Sequence, residues 1–296
     1  MSPLIPAAIQ VDVDNVWTHL SDLGIQDFSR PQIIYQESIA RFLELFRMLD
    51  IKATFFCIGN DAVQRSIAPV IEEMANEGHE VANHSLSHPQ NFSSLSYENL
   101  KKEIMEADSI LRESARCSIY GFKSPGWSTN RHMLSVLSEL NYQYDSSVMP
   151  SFLLPVLSLA RYILSRGIRT NKKYGSSRLA LTPLKPYSLG QSVIEIPNST
   201  LPIVRMPFHS TFVYLLGKKY FRVGEWMLRR RNLPLVYVFH AIDLLPQNVD
   251  SRLSCFPAMR RSLRERYEIV RYILEVIQTD FQLMTSRQLA NHYSTK

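Results

Sequence analysis

Apolar residues follow two alternating patterns through the first half of this chain of 296 residues. Short, largely apolar runs typical of buried strands lie at 7–15, 53–59, 79–83, 119–123 and 142–147. Segments whose apolar residues have helical spacing lie between them, at 36–49, 67–76, 95–111 and 130–140. Strands and helices that alternate in this way predict a parallel sheet covered by helices and closed into a barrel.

The alternation stops between residues 150 and 232. Within that region, 193–197 predicts an edge or terminal strand, because its proline cannot donate to the hydrogen-bond ladder of a central one. Beyond it, 235–240 is a strongly apolar run that ends in histidine, and 281–284 predicts a closing strand after a helical segment at 262–277. We therefore expect one α/β domain over residues 1–296 with an insertion at 150–232.

Composition narrows the class of protein. Hydrophobic residues make up 45% of the chain, enough to bury one large core. Three cysteines without CxxC spacing argue against a disulfide framework and suit a reducing compartment. The first residues lack the basic and apolar regions of a signal peptide, and no apolar run reaches the roughly 18 residues of a spanning helix. These features predict a cytoplasmic protein.

Charge is unevenly distributed. The net charge is +6, yet residues 146–242 carry fourteen Lys and Arg against two acids, Glu195 and Glu225. Such a basic region fits a phosphate-bearing substrate, an anionic membrane surface or nucleic acid, or is simply a solvated face. Apolar stripes at 156–164 and 211–216 suit helices that lie in a membrane interface or face the core. No groove-reading module is recognisable, so nucleic acid is the weakest of these partners.

Candidate chemistry lies where three predicted strands end. Asp12 and Asp14 follow the first, His84 and His88 follow the third, and His240 ends the strand at 235–240. Imidazole is the commonest ligand for divalent metals, and two His with one carboxylate leave open positions on the ion. A second carboxylate can deprotonate water and a separate His can protonate a leaving amine. This set suits amide hydrolysis without a covalent intermediate, although an Asx-rich turn or a chance HxxxH spacing remain alternatives.

Three other side chains are candidate substrate contacts. Trp127 suits an apolar wall for an acyl methyl group or a sugar face, or packing under the sheet rim. Asp243 is a candidate to hydrogen-bond His240 and raise the pKa of that imidazole, or to cap the following turn. His209 is a further candidate contact with substrate.

From about residue 9 to about 284 these motifs resemble the polysaccharide deacetylase family, also described as NodB homology or carbohydrate esterase family 4. The pattern H-[ST]-x-x-H appears as His84 to His88, and the R-x-P-G-W pattern appears at 123–127 with Lys123 in place of arginine. The resemblance implies a distorted (β/α)7-type barrel, with Asp14, His84 and His88 as metal ligands. It also implies roles for the remaining motif residues: Asp12 as base, His240 as general acid, Lys123 beside the base, and Pro125, Gly126 and Trp127 near the substrate.

A narrower likeness involves the branch that deformylates formamido-arabinose linked to undecaprenyl phosphate. The stretches 11–14, 55–61, 126–127, 196–202 and 238–241 carry it. The implied substrate is an N-acylated amino sugar that carries an acetyl or a formyl group and, in this branch, is linked to a lipid. The resemblance also implies that the protein makes peripheral contact with an anionic membrane. The implied cofactor is a divalent metal, zinc first and cobalt, nickel or manganese next. Because lysine cannot form the bidentate fork of arginine with a carboxylate, a catalytically inactive glycan-binding member is the alternative.

Overall fold

The protein is described by a computed structural model that covers residues 4–29, 32–89, 91–153, 177–190 and 192–294. Within these residues nine strands form one sheet. They are β1 Ile5–Asp12, β2 Thr54–Cys57, β3 Glu80–Asn83, β4 Gly121–Phe122, β5 Tyr144–Asp145, β6 Tyr187–Leu189, β7 Val193–Glu195, β8 Leu235–His240 and β9 Phe281–Met284.

The strand order is β6-β7-β5-β4-β3-β2-β1-β8, and β9 pairs with the first half of β1. All pairs are parallel except β6 with β7. The sheet curls into a half-barrel, which confirms the predicted α/β fold class. After β7 the chain crosses to β8, where the backbone N–H of Ser199 donates to the carbonyl of Val236.

Helices cover the sheet. They are α1 Val16–Ser21, α2 Ala40–Met48 (preceded by a π-helical segment, Ile34–Ile39), α3 Gly59–Ala62, α4 Ala68–Asn76, α5 Tyr97–Ala115, α6 Met133–Glu139, α7 Ser210–Leu216, α8 Lys218–Arg230, α9 Leu263–Asp280 and α10 Ser286–Ser294. Short 3-10 turns include Pro125–Trp127 and Ala241–Leu244. No helix among the described residues is long and apolar enough to span a bilayer.

The two longest helices begin and pack as their sequences predict. In α5 the Ser96 side chain accepts from the Asn99 backbone N–H, and Leu100, Ile104 and Leu111 form a buried stripe at helical spacing. In α9 Ser262 and Glu265 form a reciprocal capping box, which satisfies two backbone donors at the helix start.

The predicted insertion contains elements of the main sheet. β7 lies between β5 and β6, so the prediction that 193–197 is an edge or terminal strand is wrong. Pro197 lies beyond Ile196, whose backbone N–H makes the last bond to Asp145 on β5, and therefore interrupts no ladder bond. The predicted apolar stripe at 156–164 lies outside the described residues. The insertion boundaries, 150 and 232, stay a prediction.

Two carboxyl groups meet inside the sheet where β5 pairs with β7. Asp145 and Glu195 are register partners and both are fully buried. Burial raises the pKa of Asp145 to about 6, and burial together with the nearby Asp145 raises the pKa of Glu195 well above its ordinary value. Glu195 Oε1 accepts from the backbone N–H of Val148 at 3.0 Å. Folding therefore favours protonation of these two carboxyl groups relative to the unfolded chain.

A carboxyl group whose pKa rises on folding stabilises the fold at low pH and loses that contribution as pH rises through the folded-state pKa. We expect the free energy of unfolding to fall between pH 5 and pH 8. Glu195→Gln keeps the shape and hydrogen bonds of the protonated side chain, so its stability relative to wild type should be greater at pH 8 than at pH 5. Urea unfolding across this range measures the difference, with the exposed Glu268→Gln as control. A difference independent of pH would contradict the raised pKa values of Asp145 and Glu195.

Candidate active site and metal centre

The parallel register brings the predicted strand ends to one edge of the sheet. Asp12 pairs with His240 on β8 and with Phe56 on β2. The next pairings, Cys57 with Asn83 and Asn83 with Phe122, place the residues that follow β3 and β4 at the same level. Residues separated by more than 200 positions in sequence therefore share one rim, which is where ligand sites in parallel sheets form.

Three of these residues form a candidate metal centre. Asp14 Oδ1 lies 3.1 Å from His88 Nε2 and 3.4 Å from His84 Nε2, and one ligand atom from each residue lies within 4.8 Å of the others. Burial opposes ionisation of Asp14, but the adjacent imidazoles outweigh it and hold the pKa of the carboxyl well below its usual range. Asp14 Oδ1 is buried, and no residue in the described part of the chain gives it a hydrogen bond of good geometry. A carboxylate and two imidazoles that converge in this way fit a divalent transition metal.

The orientation of His84 is fixed by backbone contacts. Its Nδ1 lies 2.7 Å from the carbonyl oxygen of Lys123. Donation to that carbonyl requires the proton on Nδ1, so Nε2 presents its lone pair toward Asp14. This is the tautomer that a metal ligand needs.

The loop that carries His88 is held by α5. Glu103 accepts from the backbone N–H groups of Leu86 and Ser87 at 3.1 and 2.9 Å. The backbone N–H of His88 donates to Ser85 Oγ at 3.1 Å, and both residues have left-handed φ values. These hydrogen bonds offset the free-energy cost of the left-handed backbone at Ser85 and His88.

A glycine lets the loop and α5 approach each other. The backbone N–H of Gly59, where α3 begins, donates to the carbonyl of Ser85. A Cβ at Gly59 would lie 2.9 Å from the Cα of Ala107 on α5. Only glycine fits this position without displacing the helix or the loop.

Lys123 lies beside Asp12. Its Nζ is 2.7 Å from Asp12 Oδ1 and donates to Gln10 Oε1 at 3.2 Å, and both charged side chains are buried. Burial lowers the pKa of Lys123, and the Asp12 carboxylate opposes that shift. The ammonium also lies over the rings of Phe56 and Trp127, 5.1 and 5.7 Å from their centroids. The lysine thus occupies the place beside the predicted base.

His240 and Asp243 contact each other through the backbone. Asp243 Oδ2 accepts from the His240 backbone N–H at 3.0 Å, and the His240 side chain accepts from the Asp243 backbone N–H. Of the two interpretations of Asp243, this geometry favours the turn cap.

Trp127, His209 and His240 form an aromatic cluster. The Trp127 ring lies 5.5 Å from His209 and 6.1 Å from His240, centroid to centroid. Trp127 Nε1 donates to Asn198 Oδ1 at 2.9 Å, which fixes the indole. Pro125 is buried in the turn before it, and Gly126 has φ +62°, so the turn projects the ring toward both histidines. Burial, with His240 and Lys123 nearby, lowers the pKa of His209 well below its usual range.

Sequence reasoning missed several residues that position these groups. Gln10 donates to Ser146 Oγ and Ser286 Oγ while it accepts from Lys123. A glutamine in an otherwise apolar strand, two positions before Asp12, was the available signal. No local signal identifies Glu103 or Asn198, because each acts on a loop distant in sequence.

Residues 30–144 match the family model described as Polysaccharide deacetylase. A peptidoglycan-N-acetylglucosamine deacetylase of Bacillus cereus is 26% identical over 36% of this chain and 38% of its own length. A peptidoglycan deacetylase of Helicobacter pylori is 24% identical over 50% of this chain and 51% of its own length. The chain thus spans about half the length, or less, of the curated relatives it matches.

Solved structures share the fold. A Mycobacterium smegmatis structure, provisionally assigned as a polysaccharide deacetylase, superposes with a TM-score of 0.67 at 17% identity, over 100% of this chain and 92% of its own. A CE4 family pseudoenzyme from Bacillus anthracis superposes with a TM-score of 0.51 at 12% identity, over 98% of this chain and 66% of its own. The family model and the curated relatives thus match part of this chain, and the solved structures share its fold.

Proposed function

We propose that this protein is a metal-dependent hydrolase that removes an N-acyl group from an amino sugar. The observation that carries the proposal is the convergence of Asp14, His84 and His88 beside a buried, lysine-paired Asp12. The curated relatives act on glycans that contain N-acetylglucosamine or on peptidoglycan, according to their names, which supports an acylated amino sugar as substrate.

Asp14, His84 and His88 would hold the metal. A divalent ion there, zinc first and cobalt, nickel or manganese next, would polarise the amide carbonyl and lower the pKa of a bound water. Asp12, in contact with the Lys123 ammonium, is the base that takes a proton from the attacking water. Lys123 is a positioning residue, since its ammonium holds Asp12 Oδ1 at 2.7 Å.

His240 is the proposed acid that gives a proton to the leaving amine. Its register pairing with Asp12 supports this role, because base and acid then flank the same stretch of rim. Trp127 and His209 pack around the His240 ring and form an apolar wall for the acyl group. Asp243 contributes by capping the turn that follows His240 rather than by touching substrate.

A second candidate function is binding without catalysis, favoured by Lys123. A single ammonium contact replaces the planar fork that an arginine would offer to Asp12. The discriminating experiment incubates the purified zinc-loaded protein with N-acetylglucosamine oligomers and with acetylated and formylated amino sugars on undecaprenyl phosphate. Release of acetate or formate supports the hydrolase, and the preferred substrate decides between the general deacetylases and the deformylase branch. Bound zinc with no acid released from any substrate supports the binding protein.

We also propose peripheral contact with anionic membranes through α7 and α8. Their buried residues, among them Phe212, Phe221 and Leu228, face the core, while the opposite side exposes Trp226 and Val223. Exposed cations surround these apolar side chains, and Arg230 lies 5.7 Å from the centroid of the Trp226 ring. A cation-rich helix face with an exposed indole suits a bilayer surface with anionic lipids. This contact would bring the candidate site close to a lipid-linked sugar. The cytoplasmic location of the protein stays a prediction.

His84→Ala and His88→Ala should each lose stoichiometric zinc and nearly all turnover, because two donors cannot hold the ion as three do. Elemental analysis of the purified variants measures the metal. His132→Ala, which removes a partly exposed imidazole outside the rim, serves as control. Full metal content and activity in His88→Ala would show that the ligand assignment is wrong.

Asp12→Asn and His240→Ala should lower turnover by about 10²–10⁴ and leave bound zinc unchanged, since each removes a proton-transfer group and no metal ligand. Lys123→Met should also lower turnover with metal retained, and Lys123→Arg should restore part of it. Steady-state acid release and metal content are measured on the same samples. Wild-type turnover in Asp12→Asn would rule out its role as base.

Trp226→Ala and Lys219→Glu should each weaken binding to phosphatidylserine vesicles several-fold, since a basic residue near an anionic surface contributes about 1 kcal/mol. Sedimentation with vesicles of phosphatidylserine or of phosphatidylcholine alone measures this. Met105→Ala, which removes an exposed apolar side chain on α5, is the control. Equal binding of wild type to both vesicle types would argue against an electrostatic membrane contact.

A further inference from the structure

One arginine is fully buried on α9. Arg266 has no exposed surface, and every hydrogen bond that it makes in the described part of the chain goes to a backbone carbonyl. Burial lowers the pKa of its guanidinium. A buried charge that lacks a hydrogen-bonded carboxylate is costly, and apolar residues often replace buried charged groups without loss of stability. Packing alone therefore does not account for an arginine at this position.

The guanidinium binds the turn that follows His240. Its Nη1 donates to the carbonyl oxygens of Ile242 and Asp243 at 2.9 and 3.0 Å, and its Nη2 donates to that of Leu245 at 2.6 Å. These carbonyls lie in the 3-10 turn Ala241–Leu244 or directly after it. They converge on one planar group, which the rigid fork of an arginine provides and a lysine cannot.

One of these contacts reaches His240 through a single peptide group. The carbonyl of Ile242 and the backbone N–H of Asp243 belong to the same planar trans peptide, so they point in opposite directions. The carbonyl accepts from Arg266, and the N–H donates to the His240 side chain. Because the peptide is rigid, the guanidinium fixes the direction of the hydrogen bond that the imidazole receives. Its charge also polarises the peptide and strengthens that bond.

The turn and the guanidinium are both anchored further. Ser38 Oγ, in the π-helical segment Ile34–Ile39, donates to the carbonyl of Ala241. Arg266 Nε donates to the carbonyl of Arg261 at 3.2 Å, directly before the Ser262 cap of α9. The start of α9 therefore holds the same side chain that holds the turn.

We propose that Arg266 is a positioning residue that orients the imidazole of His240 through the peptide group between Ile242 and Asp243. The inference rests on the proposed function for the role of His240 as the acid. Arg266 acts on the backbone of the turn, so its effect on turnover passes through His240. A displacement of about 1 Å in a reacting group can lower the rate about 10²-fold.

Arg266→Met, which keeps much of the side-chain volume and removes the hydrogen bonds, should lower kcat about 10²-fold. Arg266→Lys, which keeps the charge, should lower kcat less. We expect KM and zinc content to stay at wild-type values in both. Acetate release from the N-acetylglucosamine tetramer is measured with zinc-loaded protein and expressed per bound zinc, so loss of folded protein alone leaves kcat unchanged. Arg264→Met is the matched control, because Arg264 lies on the same helix with its side chain 89% exposed.

NMR gives a second readout that needs no turnover. The ring signals of His240 are assigned by comparison with His240→Ala. Arg266→Met and Arg266→Lys should both shift these signals and leave those of His132 in place, whereas Arg264→Met should shift neither. In wild type, the guanidinium hydrogens of Arg266 should exchange with water far more slowly than those of Arg264. This last measurement requires no variant at position 266 to fold.

Wild-type kcat per bound zinc in the Arg266 variants, or unshifted His240 ring signals, would overturn the proposal. Equally fast exchange of the Arg266 and Arg264 guanidinium hydrogens would overturn it as well. If Arg266→Met does not fold, Arg266→Lys decides. Acetate release with unchanged kcat in the variants keeps the hydrolase and rejects the positioning role. Shifted ring signals without acetate release by wild type keep the positioning role and reject the hydrolase.

Discussion

A buried ammonium group is tolerated only where a carboxylate and further hydrogen bonds replace its water shell, and the site of this protein is arranged around one such group. Lys123 contacts Asp12 and Gln10 on β1, the strand that pairs with β2, β8 and β9. Removing one partner of a buried pair typically costs 3–5 kcal/mol, because the other charge is then uncompensated. The pair therefore constrains β1 and the residue that follows β4 to one relative position and holds the Asp12 side chain at the rim.

The same lysine also orients the metal centre. Its backbone carbonyl accepts from His84 Nδ1, while its side chain holds Asp12. One residue thus sets the distance between a metal ligand and the proposed base. Any displacement of the chain at Lys123 would change both contacts at once. The contact of the carbonyl with His84 does not involve the Lys123 side chain. A lysine can therefore stand where the family pattern has arginine without disturbing the orientation of His84.

Local sequence patterns predicted the elements whose own residues determine them. The helical spacing and serine cap of α5 and the apolar run of β8 are examples, and the strand ends Asp12, His84 and His240 followed from them. The position of β7 could not be predicted in this way, because its neighbours are set by tertiary pairing and its proline lies just beyond the ladder. Gln10 contacts Ser286, 276 positions away, and Glu103 supports a loop on another element. Such contacts leave no periodic trace in the sequence.

β1 acquires its neighbours at very different times during synthesis. β2 follows β1 closely in the chain, whereas β8 and β9 both begin more than 200 residues after β1 ends. Until they are made, β1 has an open hydrogen-bonding edge next to Asp12 and Asp14. The rim that carries the candidate site can therefore assemble only after β8 has been synthesised.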